Sequence, residues 1–161
     1  MKATNVKPAE GKLGVLVVGL GAVSSTFMTG VLMARKGLAK PVGSMTQYDK
    51  MRVGKGADKK YLKYDEIVPI AKLDDIVFGA WDVYPANAYE SAINAEVLKE
   101  KDINPVKDEL EKIKPMKAAF DHNYAKRLDG ENIMKGATRE EMVNNIREDI
   151  RNFKKENGVD R

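Results

Sequence analysis

Val15 to Val18 is apolar at every position, a β-branched and aliphatic run that suits a strand covered on both faces better than one facing water. The pattern predicts a central parallel strand. It runs directly into Gly19-x-Gly21, after which Val23 to Lys36 sets Phe27, Val31 and Leu32 at helical spacing, with Arg35 and Lys36 in the last turn and Gly37 as the C′ residue. A second apolar run, Asp75 to Ala80, leads into Trp81 and Asp82, and Pro85 closes that region. Asp74-Asp75 reads as a turn before this strand. Between the two runs, Leu38 to Tyr64 is broken by Gly43, Gly54 and Gly56 and carries Lys50, Arg52, Lys55, Lys59, Lys60 and Lys63, so loop with short extended pieces is expected there.

Asn87 followed by Glu90 predicts a helix start, and Ala88, Ala92, Ile93, Ala95, Val97 and Leu98 carry that helix to about Lys101. Asn104 before Pro105 predicts the N-cap and first residue of a short helix that Pro115 must end. Thr138-x-x-Glu141 is a capping box, and Met142, Val143, Ile146, Ile150 and Phe153 share one face of the long helix that follows, closed by Asn157-Gly158. Strands alternating with helices imply an α/β, Rossmann-like, doubly wound parallel sheet with flanking helices. In that layout the last helix leads to a further strand, which Val159-Asp160-Arg161 is too short to be. The sheet is therefore expected to be incomplete, with residues 1–12 a flexible segment and 13–161 a partial domain.

Composition narrows the partners. The 161 residues suit one domain, and 28 basic against 24 acidic side chains give a +4 balance too thin to favour nucleic acid. With no cysteine, disulfides, thiolate metal sites and cysteine nucleophiles are excluded, and a cytoplasmic protein is the plain expectation. Leu13 to Val18 is too short to span a bilayer, and the first twelve residues lack an apolar targeting core. The eight methionines form no metal-binding run, so no metal site is expected.

Strand, glycine turn and helix together form the local grammar of a dinucleotide site, where glycines admit a pyrophosphate and the helix N-terminus offers it N–H groups. The same junction also serves as a tight turn with no ligand. A full fingerprint has a third glycine and an acid about 20 positions on; here the third position is Ser24, and Asp49 lies farther away than that. Asp82 is the alternative acid, because a carboxylate at the end of a strand beside the turn reaches a ribose whatever the loop length. Ser24, Ser25 and Thr26 could give hydroxyls to phosphate or cap the helix.

Several strings taken together are more specific. Gly14 to Thr26, Gly43-Ser-Met-Thr-Gln47, Gly79-Ala-Trp-Asp-Val83 with Asn87-x-Tyr89-Glu90, Lys114-Pro115, and Ile146-Arg-Glu-Asp-Ile150-x-Asn152-Phe153-Lys-x-Glu-Asn157 are similar, in order and approximate spacing, to the amino-terminal part of myo-inositol-phosphate synthases. The resemblance runs through nearly the whole chain. It implies an isomerase that converts glucose 6-phosphate into inositol 3-phosphate for inositol and phospholipid synthesis, using NAD that is reduced and reoxidised within one turnover. It also implies a homo-oligomer, a tetramer. By position, Gly19, Gly21, Ala22, Val23, Ser24 and Ser25 would form the pyrophosphate turn, and Asp82 with Val83 would hold the adenosine ribose. Where many family members carry Gly-Gly-Asn-Asn-Gly, this chain has Gly21-Ala-Val-Ser-Ser25, a change that backbone N–H contacts survive. The family's substrate domain and catalytic residues match nothing here, so no catalytic residue is assigned and no cyclisation is expected from these residues alone. A nucleotide-binding remnant or an interaction module stays open as the alternative.

Other conspicuous residues have plainer readings. His122, the single histidine, has no evident partner for general-base work. The Lys50–Lys63 stretch could hold a phosphate or an oligomer contact but reads first as a solvated loop. Packing accounts for Trp81 and Tyr84.

Overall fold

The computed structural model describes residues 10–135 and 138–161. Of the N-terminal segment expected to be flexible, residues 1–9 lie outside the described residues. In chain order the elements are β1 (Leu13–Val18), α1 (Ala22–Arg35), α2 (Met45–Tyr48), β2 (Lys50–Val53), β3 (Lys60–Lys63), β4 (Ile76–Asp82), α3 (Ala88–Asn94), α4 (Glu100–Ile103), α5 (Lys107–Leu110), β5 (Met116–Lys117) and α6 (Arg139–Asn157). The main sheet has the order β1-β4-β5, parallel throughout, with Leu13 opposite Ile76 and Val18 opposite Trp81. The expected Rossmann-like parallel sheet with flanking helices is present.

Alternation along β1 and β4 gives the sheet two faces. On one, Val15, Val17, Phe78 and Ala80 meet α1, α3, α4 and α5 in a continuous core in which Met28, Ile103, Val106 and Leu110 are 0 % exposed. Burying side chains of that size stabilises by about 1.5–3 kcal/mol each. Arg35 fastens the end of α1 to the entry of β4, its Nε donating to the Leu73 carbonyl at 2.7 Å and its Nη2 to that of Ile76, with the guanidinium 5.7 Å from the Phe78 ring centre. Burial lowers its pKa, opposed by the nearby Asp74 and Asp75 carboxylates.

On the other face lies α6, started by the expected Thr138–Glu141 capping box and ended by Gly158 in the left-handed region. Its apolar stripe does not sink into a core: no α6 residue is buried, and Val143 and Ile150 are 46 % and 43 % exposed. Phe153 makes the close contact, lying where Gly14 and Gly79 have no side chains. A Cβ on Gly79 would come within 2.7 Å of its ring and 2.6 Å of Leu16. Asp149 accepts from the Trp81 indole N–H at 2.8 Å.

Three local expectations need correction. The helix begun by the Asn87–Glu90 capping box stops at Asn94, because Glu96 turns to a φ of +53° and redirects the chain. That turn lets Ile103, Val106 and Leu110 all reach the core, a tertiary gain that local spacing does not show. Asn104 is not an N-cap: α4 begins four residues earlier, and the Asn104 side chain instead accepts from the Tyr89 hydroxyl at 3.1 Å. The short helical run after it ends at Leu110, before Pro115 is reached. Val159–Arg161 forms no strand, as expected, yet it pairs briefly with the start of β1. Val159 bridges Lys12 in parallel, Asp160 N–H donates to the Lys12 carbonyl at 3.0 Å, and Gly14 N–H donates to the Arg161 carbonyl at 2.8 Å. These residues lie along the edge of β1 opposite β4. The glycine-rich basic stretch adds α2 and an antiparallel β2–β3 hairpin.

Candidate functional site

The turn between β1 and α1 is fixed from below by ordinary backbone bonding. Gly19 sits at φ +95°, a conformation a side chain resists, and its N–H donates to the Trp81 carbonyl at 2.7 Å, carrying the parallel ladder one residue past the strand. Leu20 is buried in the core and anchors the turn. Its N–H donates to Asp82 Oδ2, while Asp82 Oδ1 accepts from the Tyr84 N–H at 2.9 Å. One carboxylate thus joins the turn to the end of the neighbouring strand.

Gly21 is the N-cap of α1, and no side chain caps this helix. The first-turn N–H groups therefore meet the opening without a side-chain acceptor, at the positive end of the helix dipole. Gly21 has φ −92°, open to any residue, and a Cβ placed on it would meet no atom within 4 Å. Neither its backbone nor its neighbours require a glycine; the space kept clear lies above the helix N-terminus.

That space belongs to a cleft of about 580 Å³ at the carboxyl ends of β1, β4 and β5. Gly19, Gly21, Ala22, Asp82 and Val83 all line it, with Trp81 and Tyr84 beside them. Val23, Ser24 and Ser25 do not. Val23 stands exposed on the first turn of α1, and the serine hydroxyls turn inward, Ser24 donating to the Gly19 carbonyl at 2.7 Å and Ser25 to that of Gly21 at 2.9 Å. Both serines shape the turn through its own carbonyls.

The far wall, Ala118, Ala119, Phe120 and Leu128, was not read from the sequence. The strand that leads to it, β5, is two residues long and half polar, so it left no apolar run to find. His122 packs edge-on to Phe120, with ring centres 4.9 Å apart, and does not line the cleft; nor does any lysine of the β2–β3 hairpin.

Comparison with known proteins shows the family. The profile of the NAD-binding domain described as myo-inositol-1-phosphate synthase matches residues 13–161. The chain belongs to the myo-inositol-1-phosphate synthase family. Among its relatives, inositol-3-phosphate synthase 1 of Bacteroides thetaiotaomicron is 60 % identical over 157 residues, covering 97 % of this chain and 36 % of the relative. Isozyme 1 of Arabidopsis thaliana is 33 % identical over 168 residues, covering 93 % of this chain and 32 % of the relative. The crystal structure of inositol-3-phosphate synthase from Caenorhabditis elegans superposes with a TM-score of 0.80 at 25 % identity, covering 96 % of this chain and 33 % of that one. The chain thus spans about a third of the length of these synthases. Among the described residues, no helix is long and apolar enough to cross a membrane.

Proposed function

We propose that this chain holds NAD in the cleft between the β1–α1 turn and the end of β4, as the cofactor-binding part of an inositol-3-phosphate synthase. The observation that carries the reading is the uncapped helix N-terminus beside open space, with Asp82 one strand away. The residues suit the group. A volume of about 580 Å³ falls within the roughly 300–1,000 Å³ of small-molecule sites, and the free N–H groups and helix dipole suit a pyrophosphate. Each Asp82 carboxylate oxygen already accepts one backbone N–H, and each has a second lone pair for a ribose hydroxyl.

In the proposed arrangement the backbone from Gly19 to Ser25 receives the pyrophosphate, with Ser24 and Ser25 bracing the turn from within. Asp82 and Val83 hold the adenosine ribose. Bound NAD supplies reversible hydride exchange, which in the synthase reaction lets glucose 6-phosphate be oxidised, enolised, cyclised and reduced to an inositol phosphate. This chain's residues bind and orient; none is assigned to proton transfer. Glucose 6-phosphate as substrate, a homo-tetramer as the assembly and a cytoplasmic location rest on family membership.

Trp81, the single tryptophan, borders the cleft and reports on its occupancy. Titration with NAD should change its fluorescence saturably, and Asp82→Ala should weaken binding about tenfold or more, the worth of a hydrogen bond to a charged group. No saturable response in the folded wild-type chain would contradict the proposal and favour an interaction module. Turnover of glucose 6-phosphate by the 161-residue chain unaided would contradict the absence of catalytic residues from it.

A further inference from the structure

Behind the cleft, outside its lining, the segment from Gly130 to Met134 is laid against the carboxyl ends of β4 and β5. Asn132 makes four hydrogen bonds there. Its Nδ2 donates to the Asp82 carbonyl at 2.9 Å and to the Met116 carbonyl at 3.1 Å, its backbone N–H donates to the Val83 carbonyl at 2.9 Å, and its own carbonyl accepts from Ala118 N–H at 3.0 Å. Met134 N–H adds a bond to the Ala118 carbonyl at 2.9 Å. The approach is close enough that a Cβ on Gly130 would fall 2.3 Å from the Val83 carbonyl oxygen, so only glycine admits it.

These contacts meet where the sheet itself lets go. The β4–β5 ladder has two rungs, Trp81–Met116 and Asp82–Lys117, and beyond them the two chains diverge to form opposite walls of the cleft. A primary amide is the short side chain that can give two N–H bonds to two carbonyls at once; aspartate in the same place would set a negative charge against both. We propose that Asn132 is a positioning residue of the cofactor site, acting through Asp82: it fixes the peptide that carries the Asp82 carboxylate and the spacing of that carboxylate from the β5 wall. The inference rests on the reading of Asp82 as the ribose acceptor.

The test compares NAD with its analogue lacking the 2′-hydroxyl of the adenosine ribose, on the full 161-residue chain, in the wild type, Asp82→Ala, Asn132→Asp and Asn132→Ser. The wild type should prefer NAD by about tenfold, and Asp82→Ala should lose the preference. Both Asn132 variants, folded by circular dichroism, should cut the preference to below about threefold. A loss of affinity equal for the two ligands, with the preference kept, would overturn the inference, because a contact that only supports the fold does not select between them. Unfolding of both Asn132 variants would overturn it as well, since the bonds would then belong to the fold and not to the site. If the wild type shows no preference and Asp82→Ala binds NAD unchanged, the failure lies in the reading of Asp82 itself.

Discussion

The two faces of the parallel sheet are finished to different degrees. Under α1, α3, α4 and α5 the apolar side chains are sealed, and the β1–α1 turn grows out of that sealed face through Leu20 and the inner side of α1. Under α6 the cover is partial: Phe153 and the Asp149–Trp81 bond hold the helix, while Val143 and Ile150 are nearly half exposed and Val18, at the end of β1, is 90 % exposed. Parallel sheets are ordinarily covered on both faces. Stability and the geometry of the β1–α1 turn are thus rooted on one side of this sheet, and α6 is an attachment to the other.

Substitutions can break that comparison. Leu110→Ala on the sealed face should cost about 2–5 kcal/mol of unfolding free energy in urea, against less than about 1 kcal/mol for Ile150→Ala on α6; similar losses from the two would erase the distinction. Gly79→Ala should cost about 1–3 kcal/mol by driving a methyl group into Leu16 and Phe153, with faster amide exchange along α6 and not along α1. Gly21→Ala separates ligand from fold, because the added Cβ meets no protein atom within 4 Å. Its unfolding free energy should stay within about 0.5 kcal/mol of the wild type while NAD affinity falls about tenfold or more.

The smallest effect concerns pH. The Lys36 ammonium lies 2.6 Å from Glu109 Oε1 and, chiefly through that hydrogen bond, holds the Glu109 carboxyl below its ordinary value of 4.5. A depressed folded-state pKa contributes stability that is present above the unfolded value and lost as pH falls through the folded one. Lys36→Met should therefore lower stability slightly at neutral pH, the pair being partly exposed, and converge on the wild type as pH falls below about 4.5, which flattens the profile there. Urea midpoints at pH 3 and pH 7 check this.

Much of the sealed face was legible in the sequence, because it is written in local signals. The Val15–Val18 run, the Phe27, Val31 and Leu32 spacing and the Asn87–Glu90 box each name an element within a few residues, and each is found. Asp82 was reachable from the pattern because it ends an apolar strand. What the pattern missed depends on partners distant in sequence. The Glu96 turn is stabilised by what Ile103 and Leu110 later bury, β5 is defined by two rungs to β4, and Val159 makes its single bridge only because Lys12 lies beside it. The apolar stripe of α6 was read correctly as a stripe but not as a half-covered one, since periodicity shows which side a helix favours and not how much structure meets it. In the site, Gly19 and Gly21 look alike in sequence, yet one serves a backbone angle and the other an empty space.

The central claim is that the β1–α1 turn and the end of β4 together form the NAD site. Backbone amide shifts recorded by ¹⁵N NMR while NAD is added test it most directly. Saturable shifts are expected on Leu20 to Ser24 and on Asp82 to Tyr84, with α6 and the β2–β3 hairpin unmoved. Saturable shifts centred elsewhere, or none in a folded chain at millimolar NAD, would contradict it.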